Sequence, residues 1–172
     1  MFTQTPISPR TGFQRHTNEL AADPFQARFG HNLPSDLREE ARGMSWRTFT
    51  ETYAPTSAIR IHNIHAEPLP GFRNSYFTNI TTTRNGRRIT LGRDIVATGA
   101  ISACSNILAD LGAPLEILNF HQMEIFEATV TFIKGTFRGR TVWAMGFGPD
   151  RDNSGAAALS SAAHRLHGSN FA

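Results

Sequence analysis

Histidine, cysteine and carboxylate side chains are the groups from which this 172-residue chain could build catalysis. His62 and His65 stand three apart in a segment that reads as a strand. Strict alternation would turn them to opposite faces and keep them from chelating one ion side by side. His121, His164 and Glu124 are acid–base groups by type, but no spacing joins them into an acid–base motif. The single cysteine, Cys104, excludes an internal disulfide and any multi-cysteine metal site. It lies beside Ala103 and Ile107 in a helix-like stretch, where a thiol reads as a small buried hydrophobe rather than a nucleophile. Neither a catalytic set nor a metal set emerges, and no cofactor is implied.

Charge narrows the partners. The formal net charge is +3, and the arginines are scattered from Arg60 to Arg140 rather than gathered in a stripe. The densest basic run, TRNGRRITLGR, reads as a hairpin turn with solvated flanks, which argues against nucleic-acid binding. No apolar run approaches the ~20 residues of a membrane span, and the first residues lack the apolar core of a secretory signal. With 40 % hydrophobic residues the composition is globular. A soluble cytoplasmic protein is expected.

The elements that must position any site follow from pattern. Residues 1–43 carry Pro6, Pro9, Pro24 and Pro34 without a sustained apolar period. They read as a flexible or partner-ordered tail, with a short helix available from Ser35 to Arg42. A clearer helix starts at Ser45, with Trp46, Phe49 and Tyr53 on one face and Pro55 as its stop. SAIRIHNIHAE, SYFTNITTT and RRITLGRDIV read as strands, with Asn85-Gly86 as a two-residue hairpin signal. A helix then opens at Thr98-Gly99 and runs to Gly112. The same order returns: LEILNFHQMEIF, EATVTFIKG, a turn at Gly135, TFRGRTVWAMGFG, and a helix opening at Ser154-Gly155. Thr98-Gly99-Ala100 and Ser154-Gly155-Ala156 are 56 residues apart. The expected fold is α+β, two tandem βββα units (about 57–112 and 114–168) in a module spanning 44–172.

The stretches ATGAISACSNILADLGAPLEILNF and TVWAMGFGPDRDNSGAAALSSAAHRL resemble the C-terminal regulatory domain of 2-isopropylmalate synthase. The shared features are a small-residue turn opening a helix, the Ala109–Gly112 stretch, a strand ending in an aromatic pair, and Thr141-Val142-Trp143 before the last helix. MSWRTFTETYAP is similar to the helix that introduces that domain, so the likeness covers roughly residues 44–167. It implies two βββα units that dimerise and bind leucine between them, inhibiting a separate (β/α)8 barrel that has no counterpart in this sequence. The chain is then no enzyme, and its partners are leucine or a similar small acid, a second copy, and a separately encoded synthase.

By position, the resemblance places ligand contacts at Ala97, Thr98, Gly99, Ile101, Ser102, Ile117 and Phe120, with Glu124 or a backbone carbonyl as acceptor for the amino group. A helix opening at Thr98-Gly99 offers unpaired N–H groups and the positive dipole end to a carboxylate. Gly99 admits a ligand close to the backbone. Ile101, Ile117 and Phe120 could enclose an isobutyl group, worth roughly 2–3 kcal/mol when fully buried. The bland alternative stays open: Thr98 as a helix cap and the three apolar residues as core. His121, beside Phe120, falls at another aromatic position of the family. Ala97, Ala100 and Phe120 replace the family's glycine, proline and tyrosine, and the loop after the aromatic pair is shortened. These departures keep a second function in view, a dimeric scaffold or assembly subunit that binds no ligand.

Overall fold

The computed structural model describes residues 22–168 apart from Asn85. Three short helices come first. α1 (Pro24–Phe29) is capped by Asp23, whose Oδ1 accepts the Phe25 and Gln26 N–H groups at 3.0 and 2.9 Å. Its Oδ2 accepts the Leu33 N–H at 2.9 Å. α2 (Ser35–Glu40) has Pro34 at the cap position, so Ser35 is already helical. In α3 (Trp46–Tyr53) the Ser45 hydroxyl accepts the Thr48 N–H at 3.1 Å, the cap expected there. The expected tail needs correction from residue 22 onward, because Phe25, Leu33, Leu37 and Ala41 are fully or almost fully buried. They are spread over two helices of six residues and a loop, too short for any 3.6-residue period to show. Residues 1–21 lie outside the described part.

The first unit consists of β1 (Ile59–Leu69), β2 (Arg73–Arg84), β3 (Arg87–Ala97) and α4 (Ala100–Asp110). Its strands form an antiparallel sheet in the order β1-β2-β3, and Arg84 faces Arg87 across the two-residue turn expected at Asn85-Gly86. Asn85 itself is outside the described residues. Ile59, Ile61, Ile64, Tyr76 and Ile80 turn into the core. β1 departs from strict alternation. A bulge lies between His62 and His65, and Asn63 takes a φ of 52°. His62 pairs with Asn79 and His65 with Phe77, two positions apart on β2, so both histidines share one sheet face. The expectation of opposite faces is therefore overturned, by one inserted residue.

The second unit repeats the order: β4 (Glu116–Ile125), β5 (Ala128–Phe137), β6 (Arg140–Gly148) and α5 (Arg151–His167). The turn expected at Gly135 falls instead at Arg138-Gly139, with φ of 47° and 80°. Gly135 is buried within β5, where a β-carbon would stand 3.4 Å from Leu115 Cδ1. α5 also begins earlier than expected, capped by Asp150, whose Oδ1 accepts the Asn153 N–H at 2.8 Å. Ser154-Gly155 thus lies a turn inside the helix, and the matching caps are Gly99 and Asp150, 51 residues apart.

Alternation on β5 and β6 divides the core in two. Ile133 faces α4 and α5, packing with Ala156, Leu159 and Ala163. Val130, Phe132, Trp143 and Met145 face the other way and pack with Phe25, Leu37, Phe49 and Tyr53. The second sheet is therefore covered on both faces, by the long helices on one side and the N-terminal helices on the other. α5 also reaches β1, an edge strand of the first sheet. There the Ser160 hydroxyl accepts the Ile61 N–H at 3.0 Å, and Asn153 Oδ1 accepts the Ile64 N–H at 3.1 Å. Side chains two helical turns apart thus satisfy edge groups that would otherwise be left open.

Candidate functional site

α4 sits differently from its counterpart. Gly99 is its N-cap, in extended backbone (φ −167°), and no side chain caps the helix. α3 and α5 both have side-chain caps, from Ser45 and Asp150. Thr98 is exposed and is not the cap. The first intrahelical bond runs from the Ala103 N–H to the Gly99 carbonyl at 3.0 Å, so the N–H groups of Ala100, Ile101 and Ser102 precede the ladder. A β-carbon on Gly99 would meet no heavy atom within 4 Å, so the approach to this terminus is open.

The structure brings part of the expected set around that terminus. Ala97, at the end of β3, is buried; Ile101 and Ile117 are half-buried against the same core cluster. Ser102 is exposed on the first turn of α4. Phe120 stands on β4 opposite Ile133, on the helix-facing side of the sheet, and remains 39 % exposed. A bulge between Ile117 and Asn119 leaves Leu118 56 % exposed beside it. Ala97, Ile101 and Ser102 thus stand at the α4 terminus, whereas Ile117 pairs with Gly135, whose β-carbon would lie 3.4 Å from Leu115 Cδ1 and 3.7 Å from Leu166 Cδ1, toward the far ends of α4 and α5. His121 is exposed, its ring 6.2 Å from that of Trp143 on the opposite sheet face.

Glu124 lies two positions beyond Gln122 on the same strand face, toward the start of α5. Its carboxylate pairs with Arg151 at 3.6 Å and is 74 % exposed. It lines a separate cleft of about 580 Å³ at the start of α5, with Glu127, Asp150 and Asp152. Burial, and secondarily Asp150, raises the Asp152 carboxyl above its ordinary value.

Two residues beside Ile101 were not among the ligand contacts expected from sequence. A β-carbon on Gly155 would stand 2.7 Å from Ile101 Cδ1 and 3.8 Å from Gln122 Nε2, so Gly155 is where α4, α5 and β4 converge. Gln122 Nε2 donates to Thr131 Oγ1 at 2.9 Å and to the Arg151 carbonyl at 2.7 Å. Gln122 is two positions from Phe120 and so on its face. A polar residue breaking the apolar run of β4 was the available signal. Cys104 is fully buried, and desolvation, with a smaller contribution from Asp152, pushes its thiol up to about 12. Among the described residues no three of His, Cys, Asp and Glu are grouped to hold a metal ion, and no helix is long and apolar enough to cross a membrane.

Neither a scan against family models nor a search of curated proteins finds a match for this chain.

Proposed function

We propose that the chain is a non-catalytic regulatory module that binds leucine, or a related branched-chain acid, at the open N-terminus of α4. One observation carries this reading: the α4 terminus is uncapped and sterically open beside the half-buried Ile101. The carboxylate accepts from the N–H groups following Gly99, and the branched side chain covers Ile101 and Phe120. A site so open on one protomer is completed by a second copy, in keeping with the dimer that the sequence resemblance implies. Ligand held between the units favours one inter-unit geometry through its differential affinity, and that geometry is what a separately encoded synthase senses.

Titration calorimetry on the purified chain tests this. Saturable leucine binding that Gly99→Val abolishes, in a protein that still folds, is the expected result. Absence of binding in the folded chain contradicts it.

A second reading, a dimeric scaffold without ligand, has its own support. Glu124, the side-chain acceptor expected for the amino group, is engaged with Arg151. Only a backbone carbonyl would then remain for the amine. Retention of a dimer with no response to any branched-chain acid would favour this second reading.

A further inference from the structure

A cleft of about 290 Å³ lies where the α3–β1 connection meets α5, β6 and the start of β3. Arg60 and Arg88 line it together with Thr56, and no carboxylate is among its lining residues. Pro55 and the partly exposed Phe147 give it an apolar wall. Among the described residues, the arginines held in ion pairs are Arg38, Arg47, Arg93 and Arg151; Arg60 and Arg88 are in none. Two guanidinium groups on one concave wall without a carboxylate make it positive, and their planar forks suit carboxylate and phosphate oxygens.

We infer that this cleft binds a small organic oxyanion, its carboxylate or phosphate group held by Arg60 and Arg88 and its short apolar body against Pro55 and Phe147. The inference does not rest on the leucine reading, since none of the residues assigned to that site lines this cleft. The positive field here is also felt nearby: His62, bonded through Nε2 to Thr81 Oγ1 at 2.8 Å, is held below its ordinary value first by burial and then by Arg60 and Arg88. Because the cleft takes in the 54–57 connection, an occupant would bridge the N-terminal helices, the first sheet and α5 at one point.

The test is a titration of the full chain with inorganic phosphate and, separately, with isovalerate, against sodium chloride at matched ionic strength. Amide and guanidinium shifts are followed by NMR. The inference predicts saturable shifts centred on residues 54–60, 88 and 145–147 with at least one probe and none with chloride. Saturation by phosphate alone assigns a phosphate ester, and by isovalerate alone a carboxylate. Arg60→Gln and Arg88→Gln should each weaken binding at least tenfold. Arg138→Gln, in the β5–β6 turn outside the cleft, should leave it unchanged. Failure of both probes to saturate, shifts centred elsewhere on the unmodified chain, or parent-like affinity in either cleft variant would overturn it.

Discussion

The side-chain amide of Asn153 pairs with both backbone groups of Ile64, 89 residues earlier: Oδ1 accepts the N–H at 3.1 Å and Nδ2 donates to the carbonyl at 3.4 Å. The contact falls at the β1 bulge, so a helix of the second unit closes the irregular edge of the first sheet. With the Ser160–Ile61 bond it ties the units into one body through polar groups as well as through shared core. Asn153→Ala should therefore cost about 1–3 kcal/mol, the penalty for leaving partly buried backbone groups unpaired. Denaturant melts of Asn153→Ala and Ser160→Ala would measure this, and parent-like stability in both would refute the clasp.

α5 also lies directly on β6. A β-carbon on Gly146 would stand 2.1 Å from the Ala158 nitrogen, and one on Gly148 would stand 2.4 Å from the Ser154 nitrogen. Backbone cannot yield as a side-chain tip can, so Gly146→Ala should destabilise by about 3 kcal/mol or more, beyond the usual cost of overpacking. Gly155→Ala meets only the flexible end of Ile101 and should cost far less. Melting both variants side by side checks the ordering.

How far these contacts could be foreseen varies with their cause. The Ser45 cap, the close return of β2 into β3 and the two βββα repeats are local or periodic features, so the residues announce them. Gly135 and Ser154-Gly155 were misplaced because a lone glycine reads as punctuation, whereas here both glycines make room for side chains from distant segments. The His62–His65 relation failed because nothing in the alternation marks an inserted residue at Asn63. At the candidate site, the opening of α4 was legible at Thr98-Gly99, but the placement of Glu124 depends on the length of β4 and on Arg151.

The N-terminal helices are structural, since Phe25 packs edge-on against Phe132 with ring centroids 5.2 Å apart. Phe25→Ala should cost about 3–5 kcal/mol. That is a large part of a typical domain's stability of about 5–15 kcal/mol. Removing residues 1–43 altogether should expose the outer face of the second sheet and cause aggregation. A truncated chain with parent-like solubility and melting temperature would contradict this.

Cys104 should resist thiol reagents in the native state at pH 8, because burial both blocks access and pushes its thiol up to about 12. One equivalent should react on unfolding. Rapid labelling of the native chain would contradict the packing of α4.

Asp152 gives a pH test with a definite sign. Its carboxyl in the folded chain is raised above the ordinary value of 3.8, so the folded state favours the protonated form. The stability this contributes is present below the unfolded-state value and is lost as pH rises through the folded one. Asp152→Asn should match the parent near pH 3 and melt at a higher temperature than the parent near pH 7. A parent more stable than the variant at neutral pH would reverse the assignment.

The central claim is that the open end of α4 receives a branched-chain acid, and a thermal melt with and without leucine tests it most directly. Valine, isoleucine and 2-isopropylmalate serve as comparisons, and Gly99→Val as the blocked site. A ligand at ~100 times its Kd adds about 2.7 kcal/mol, several degrees for a domain of this size. The account predicts a selective rise with leucine that Gly99→Val abolishes, while the unliganded variant stays folded because its β-carbon meets open space. No shift with any of the four compounds in the well-folded parent would contradict it, and the ligand-free scaffold would then be the better description.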